Sequence, residues 1–270
     1  MKDLFNVKNK VAVITGGCGI LGRGMAEYLC EQGVKVVVLD RDIPAGEKLV
    51  DDLTSKGHEA LFLFTDVLNK EVLEQNSKDI MDNYGRIDIL VNAAGGNMAG
   101  ATIADDKTIF DLDVEAFRKV VDLNLFGTVM PTMVFAKIMA DQKQGSIINI
   151  SSESALRPLT RVVGYSASKA AVTNFTKYMA TELATKFGEG LRVNAMAPGF
   201  FLTEQNRTLM TNPDGSLTAR GHKIIAHTPF GRFGQPDELF GTLHWLSSEA
   251  SKFVTGTLTV IDGGFDVYCI

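Results

Sequence analysis

A phenol and an ammonium stand four residues apart in the stretch Tyr165-Ser166-Ala167-Ser168-Lys169. On a helix that spacing puts both on one face. An ammonium beside a phenol favours the phenolate and draws its pKa below the ordinary value of about 10. A phenol tuned in this way can give a proton to an alkoxide, or take one from an alcohol, while hydride moves at the adjoining carbon. Thirteen residues before Tyr165, Ser152 closes the run Ile147-Ile148-Asn149-Ile150-Ser151 and offers a hydroxyl to the same substrate oxygen. Tyr-x-x-x-Lys by itself arises often by chance, and a packed tyrosine beside an exposed lysine is the plain structural alternative. The strand-end serine makes the set more specific.

A second group of residues has the pattern of a dinucleotide site. Gly17, Gly19 and Gly22 satisfy G-x-G-x-x-G after the apolar run Val11–Thr15, and a helical stretch follows. Glycine is required where a side chain would hold a pyrophosphate away from backbone N–H groups at a helix start. Gly16, Cys18, Gly19, Ile20, Leu21 and Gly22 are therefore expected to line that site. The second apolar run ends at Asp40, eighteen residues after Gly22. An acid at this position accepts hydrogen bonds from ribose hydroxyls and repels a 2′-phosphate. The adjacent Arg41 could accept that phosphate instead, or be a solvated surface charge. The expectation is NAD in preference to NADP.

Positioning these residues takes alternating elements. Short, nearly continuous apolar runs recur at Val11–Thr15, Val34–Leu39, Ala60–Phe64, Ile87–Asn92, Ser146–Ser151, Leu191–Ala195 and Leu258–Ile261. Strands covered on both faces read this way. Helix-length segments separate them at about 20–32, 43–56, 69–84, 113–141, 163–187 and 236–248, with a kink or break expected at Pro131. The alternation predicts an α/β fold: a Rossmann-type, doubly wound parallel sheet of about seven strands with helices on both faces. Ligands bind such sheets at the C-terminal strand ends, where the unusual residues fall. With no repeat or linker visible, residues 1–270 are read as a single dinucleotide-binding and catalytic domain, with a lid-like segment at about 203–231.

Composition narrows the function classes. The chain has 270 residues, 45% apolar and 22% charged, with a formal net charge of −5, so a packed core is expected and disorder is not. No Lys/Arg stripe suggests nucleic acid. Neither a leader-type apolar region nor a membrane-length stretch is apparent. Cys18, Cys30 and Cys269 are odd in number and lack a C-x-x-C spacing, which points to a reducing, cytoplasmic setting. His58, His222, His227 and His244 have no recognised ligand spacing, and no metal centre is expected.

Taken together these residues resemble the short-chain dehydrogenase/reductase family along essentially the whole chain. Asn92-Ala93-Ala94-Gly95 resembles the family's strand end beside the adenine and ribose, and Asp66-Val67 its adenine-contacting pair. Asn124 falls where the family places the helix asparagine that supports the active-site lysine through a water. Pro198-Gly199-Phe200-Phe201-Leu202-Thr203 resembles the segment that holds the nicotinamide carboxamide, which implies contacts from Pro198, Phe201 and Thr203. Asp262-Gly263-Gly264 resembles the final strand end. The resemblance implies a catalytic set of Asn124, Ser152, Tyr165 and Lys169, with Tyr165 and Lys169 also touching the cofactor, and a homo-oligomer, a tetramer or dimer, packed through the helices at 113–141 and 163–187 and through the last strand. One departure stands out. The family's loop T-G-x-x-x-G-x-G carries Ile20 at its penultimate glycine, and the glycine sits one place earlier, at Gly19. The same shift removes a basic residue that NADP-preferring relatives often carry there.

Substrate choice is expected in three variable stretches, 96–113, 153–164 and 203–231. Arg157, Arg161 and Arg207 could each grip a carboxylate in two-pronged fashion, though ordinary surface charge is the plain alternative for each. Asn97, Glu153, Gln205 and Asn206 could hold hydroxyls. The polar character implies a small, polyhydroxylated, acidic substrate rather than a steroid or acyl chain. Residues 16–22, 94–101, 154–165 and 200–211 resemble, more narrowly, the branch that interconverts D-fructuronate and D-mannonate with NAD(H). Other readings stay open: a gluconate 5-dehydrogenase or similar polyol enzyme, a 3-oxoacyl-thioester reductase, or a catalytically silent dinucleotide sensor or scaffold.

Overall fold

The computed structural model describes residues 3–269, apart from the side chains of residues 204 and 205. The first half alternates β1 (Val11–Thr15), α1 (Ile20–Glu31), β2 (Lys35–Asp40), α2 (Ile43–Ser55), β3 (Ala60–Phe64), α3 (Lys70–Tyr84) and β4 (Ile89–Asn92). There follow α4 (Val114–Val121), α5 (Gly127–Gln142), β5 (Gly145–Ile150), α6 (Val163–Phe187), β6 (Leu191–Pro198), α7 (Glu204–Met210), α8 (Ala219–Ala226), α9 (Phe240–Ser247) and β7 (Leu258–Ile261). All seven strands form one parallel sheet in the order β3-β2-β1-β4-β5-β6-β7. The order reverses between β1 and β4, and that switch point opens a crevice at the C-terminal strand ends.

Period two in the strands sends alternate side chains to opposite faces. Ala12 and Ile14 of β1 pack with Met25 and Leu29 of α1 and with Leu243 of α9. Val11 and Val13 pack instead with Leu73 and Ile80 of α3 and Phe135 of α5. Each such buried aliphatic side chain contributes about 1.5–3 kcal/mol. The two apolar layers hold the strand ends, and hence the site, rigid. In the two helical stretches implied to pack the oligomer, Phe135 and Val172 are buried in the chain's own core, while Phe126 stays exposed.

Two expectations are corrected. The break in the 113–141 helix falls at a widened π turn, Asp122–Phe126, and Pro131 sits inside regular α5. The distortion is taken up one turn before the proline, where the ring would otherwise crowd the preceding carbonyls. The Thr128 hydroxyl donates to the Asn124 carbonyl at 2.9 Å within this region. The run Val114–Gln142 is also long and apolar enough to cross a membrane by length and composition, its most apolar 18-residue stretch having a mean hydropathy of 1.4, which the sequence reading did not anticipate. Half of that stretch is buried within the chain, and buried Asn124, Thr128 and Thr132 lie along the run. It serves as a core helix packed on the sheet.

Candidate active site

The dinucleotide-type loop owes its path to steric constraint. Gly16 has φ +64°, and a Cβ there would lie 2.7 Å from the Ala94 Cα. A Cβ on Gly22 would lie 2.2 Å from the Gly16 carbonyl oxygen. Both positions therefore exclude side chains. Gly19 differs: the nearest atom to its would-be Cβ is 3.5 Å away, so the protein itself does not demand glycine there. Gly19 is the N-cap of α1, extended at φ −67° and ψ 159°, and has no capping side chain. The shift of glycine from position 20 to 19 thus leaves the first-turn N–H groups of α1 unclaimed by a cap, at the positive end of the helix dipole. An anionic pyrophosphate fits this cradle.

Asp40 closes the adjoining strand. Its carboxylate accepts from the Cys18 N–H at 2.9 Å, the Arg41 N–H at 2.7 Å and the Asp42 N–H at 3.1 Å. These bonds fix a negative charge beside the loop. Burial, with Asp40 and Asp42 close by, pushes the Cys18 thiol up to about 12, so it stays neutral. Gly16, Cys18, Gly19, Ile20, Leu21 and Gly22 all line one cleft of about 740 Å³ together with Asp40 and Arg41. Val67, Ala93, Ala94, Pro198, Phe201 and Thr203 line the same cleft, and so do Ser152, Tyr165 and Lys169.

Three expected residues stand behind that wall. The Asn92 amide donates to Thr132 Oγ1 at 2.9 Å and Asn149 Oδ1 at 2.8 Å, tying β4 to α5 and β5. Asp66 accepts from the Leu68 N–H at 3.0 Å and closes a turn. Asn124 is fully buried on the π turn, where it donates to the Gly96 carbonyl at 2.7 Å and accepts from the Gly96 N–H at 2.9 Å. That two-point grip fixes the peptide just after the Ala93-Ala94-Gly95 wall. Gly95 makes room for it, since a Cβ there would lie 2.7 Å from Asn124 Oδ1 and 3.2 Å from Lys169 Nζ.

At the cleft's centre, Lys169 is buried and donates to the Ile150 carbonyl at 2.7 Å. Its Nζ lies 5.6 Å from the centroid of the Tyr165 ring. Burial pulls the ammonium down to about 8. Burial likewise pushes the Tyr165 phenol above its usual value, against a hydrogen bond from Ser152 that pulls it down. The expectation that the ammonium draws the phenol down is therefore corrected: removal from water disfavours both charged forms, and that effect wins on Tyr165. A phenol raised in this way keeps its proton near neutrality and is a proton donor at rest.

The expected substrate residues are scattered. Glu153 is 1% exposed and turns away from the cleft toward the C-terminal loop. Asp266, then Asp262, surround it, and burial with these two acids pushes its carboxyl up to about 7 against the pull of Arg157. Arg157 is committed to Asp266, with Nε to Oδ1 at 2.9 Å. The Asn97 amide donates to Thr102 Oγ1 at 2.7 Å within its own loop. Arg207 is exposed on α7 and lies off the cleft wall. Asn206 lines the cleft, and its amide donates to the Phe201 carbonyl at 2.8 Å, while the Gln205 side chain lies outside the described residues. Arg161 donates from Nε to the Ile103 carbonyl at 2.9 Å.

Sequence reasoning missed Leu123, Ile150 and Gly199 of the cleft wall, as well as Arg220, whose guanidinium reaches Thr160 from α8. A lone arginine in a polar stretch carries no motif that would have found it.

Comparison with known proteins agrees with this architecture. The model of the short chain dehydrogenase family matches residues 10–214. The chain is 44% identical over 272 residues to the uncharacterized oxidoreductase UxuB of Bacillus subtilis (strain 168), covering 97% of each. A solved structure from Haemophilus influenzae, provisionally identified as a D-mannonate oxidoreductase and holding NAD, is 38% identical, with a TM-score of 0.91 over 98% of this chain and 97% of that one. A gluconate 5-dehydrogenase from Burkholderia cenocepacia J2315, in complex with NADP and tartrate, is 30% identical with a TM-score of 0.86 over 99% of each chain. The chain accordingly belongs to the short-chain dehydrogenase family, whose members are oxidoreductases that act on alcohol and keto groups with a nicotinamide dinucleotide.

Proposed function

We propose that this enzyme reduces the keto group of a small sugar acid, with D-fructuronate and D-mannonate as the pair it interconverts, and uses NAD(H). The observation that carries the reading is the Ser152–Tyr165–Lys169 set on the wall of the cleft that holds the dinucleotide-type loop. The bound nicotinamide supplies or accepts the hydride. Ser152 donates a hydrogen bond to the substrate oxygen and holds it toward Tyr165. As negative charge grows on that oxygen, the protonated Tyr165 phenol gives it a proton, and the ketone becomes a secondary alcohol. The Lys169 ammonium, anchored on the Ile150 carbonyl, then stabilises the phenolate left behind. Asn124 acts on this set by holding the Gly96 peptide, next to which Gly95 packs on Lys169 Nζ.

The fixed carboxylate of Asp40 supports NAD over NADP, because a 2′-phosphate there would meet a negative charge already engaged by three N–H donors. The similarity to the NAD-holding Haemophilus structure supports both the cofactor and the substrate. Exposed Phe126 supports a homo-oligomer packed through this helix face. The test is a panel of substrates with NADH and the purified protein. NADH oxidation that depends on D-fructuronate is expected; turnover of a 3-oxoacyl thioester without turnover of D-fructuronate would overturn the substrate reading.

A further inference from the structure

The three variable loops meet at one place outside the cleft wall. Arg161 has φ +77°, in the left-handed region that an arginine rarely adopts. Its carbonyl accepts from the Ile103 N–H at 3.0 Å, and its Nε donates to the Ile103 carbonyl at 2.9 Å. This clamp aims the guanidinium between loop 96–113 and α8. From α8, Arg220 donates to Thr160 Oγ1 at 3.2 Å and to the Thr160 carbonyl at 3.3 Å. The two guanidinium groups therefore share one locality, close enough that the charge of Arg161, after burial, weakens protonation of Arg220. Among the described residues, the acid that pairs with Arg161 is Asp105, 3.4 Å from Nη1, and its side chain is 87% exposed.

Like charges brought together by strained backbone cost free energy unless an anion offsets them. A single carboxylate that is 87% exposed offsets little, because water screens the pair. Each guanidinium also has N–H donors beyond the bonds named. The position suits a substrate group: Arg161 is four residues before Tyr165, so their Cα atoms are at most about 14 Å apart. A six-carbon acid whose keto carbon faces Tyr165 can extend its far end over that distance with the arginine side chain.

We propose that Arg161 and Arg220 together form the carboxylate subsite, with the substrate anion taking the place of Asp105 between the two guanidiniums and so setting the preference for acids over neutral sugars. This rests on the proposed function, and the test separates the two. Steady-state kinetics would compare D-mannonate with its neutral amide, using wild type, Arg220→Gln and Arg220→Lys. Arg220→Gln should raise KM for D-mannonate at least tenfold, leave kcat within about twofold, and leave kcat/KM for the amide unchanged. Arg220→Lys should recover part of the loss, and NADH affinity should not move in either variant. Equal losses on acid and amide would make Arg220 a strap that only closes the loop, and would overturn the subsite. So would an unchanged preference for the acid in Arg220→Gln. A wild type that prefers another hydroxy acid would overturn the D-mannonate reading, and the same comparison with that acid and its amide would then decide the subsite. A wild type that prefers neutral alcohols to every acid tested would overturn both.

Discussion

Replacing Glu153 by glutamine should stabilise the protein, and the gain should depend on pH in a calculable way. Glu153 is 1% exposed, the charges of Asp266 and Asp262 press on it, and a hydrogen bond to Asp266 favours its protonated form. Its carboxyl stands at about 7 in the fold against 4.5 in the unfolded chain. The folded state therefore binds more protons than the unfolded one across that window. Stability from this group is fully present below pH 4.5 and is lost as pH rises through 7. At 1.36 kcal/mol per pH unit between those two values, the whole loss is about 3 kcal/mol. Glutamine keeps the shape, cannot ionise, and offers an amide donor to Asp266. Between pH 5 and pH 8 the advantage of Glu153→Gln over wild type should then grow by about 2–3 kcal/mol. Urea unfolding midpoints at the two pH values measure it. An advantage that is equal at both would show that Glu153 ionises normally and that the acid cluster does not hold its proton.

Further outcomes follow from the cleft. Gly22→Ala puts a Cβ 2.2 Å from the Gly16 carbonyl, so the loop must move; NADH binding, read by fluorescence titration, should weaken more than tenfold. Asp40→Ala should narrow the ratio of KM for NADPH to KM for NADH by about 10–100-fold, the worth of a charged hydrogen bond. A wild type that prefers NADPH would show that Arg41 outweighs Asp40. With Lys169 at about 8, keto reduction should decline as pH rises through that value. Lys169→Arg, which stays charged, should lose this limb of the pH profile.

The fold was legible because its physics is local. Buried parallel strands must be apolar on both faces, and β1, β3 and β7 have the ends that their apolar runs imply. The break near Pro131 was placed wrongly because a proline announces a distortion without saying which turn absorbs it. Helices α7 and α8 were not foreseen within 203–231, although Thr203 with Asn206, and Thr218 before α8, form the caps that start them. The loop and the Ser152–Tyr165–Lys169 spacing were legible because each depends on the chain's own geometry. Glu153 and Arg157 were read toward the substrate and turn to Asp266 instead, because their partner lies 109 residues from Arg157. Arg220 was invisible for the same reason: its meaning depends on Thr160, 60 residues away.

The central claim concerns the Tyr165 phenol as the group that moves the proton. Its most direct test measures NADH oxidation that depends on D-fructuronate in wild type and in Tyr165→Phe, with NADH binding measured alongside. Removing one positioned acid costs about 10²–10⁴-fold, so the variant should lose turnover by at least that much while NADH affinity stays within about twofold. Turnover that survives the change near the wild-type rate would contradict the account.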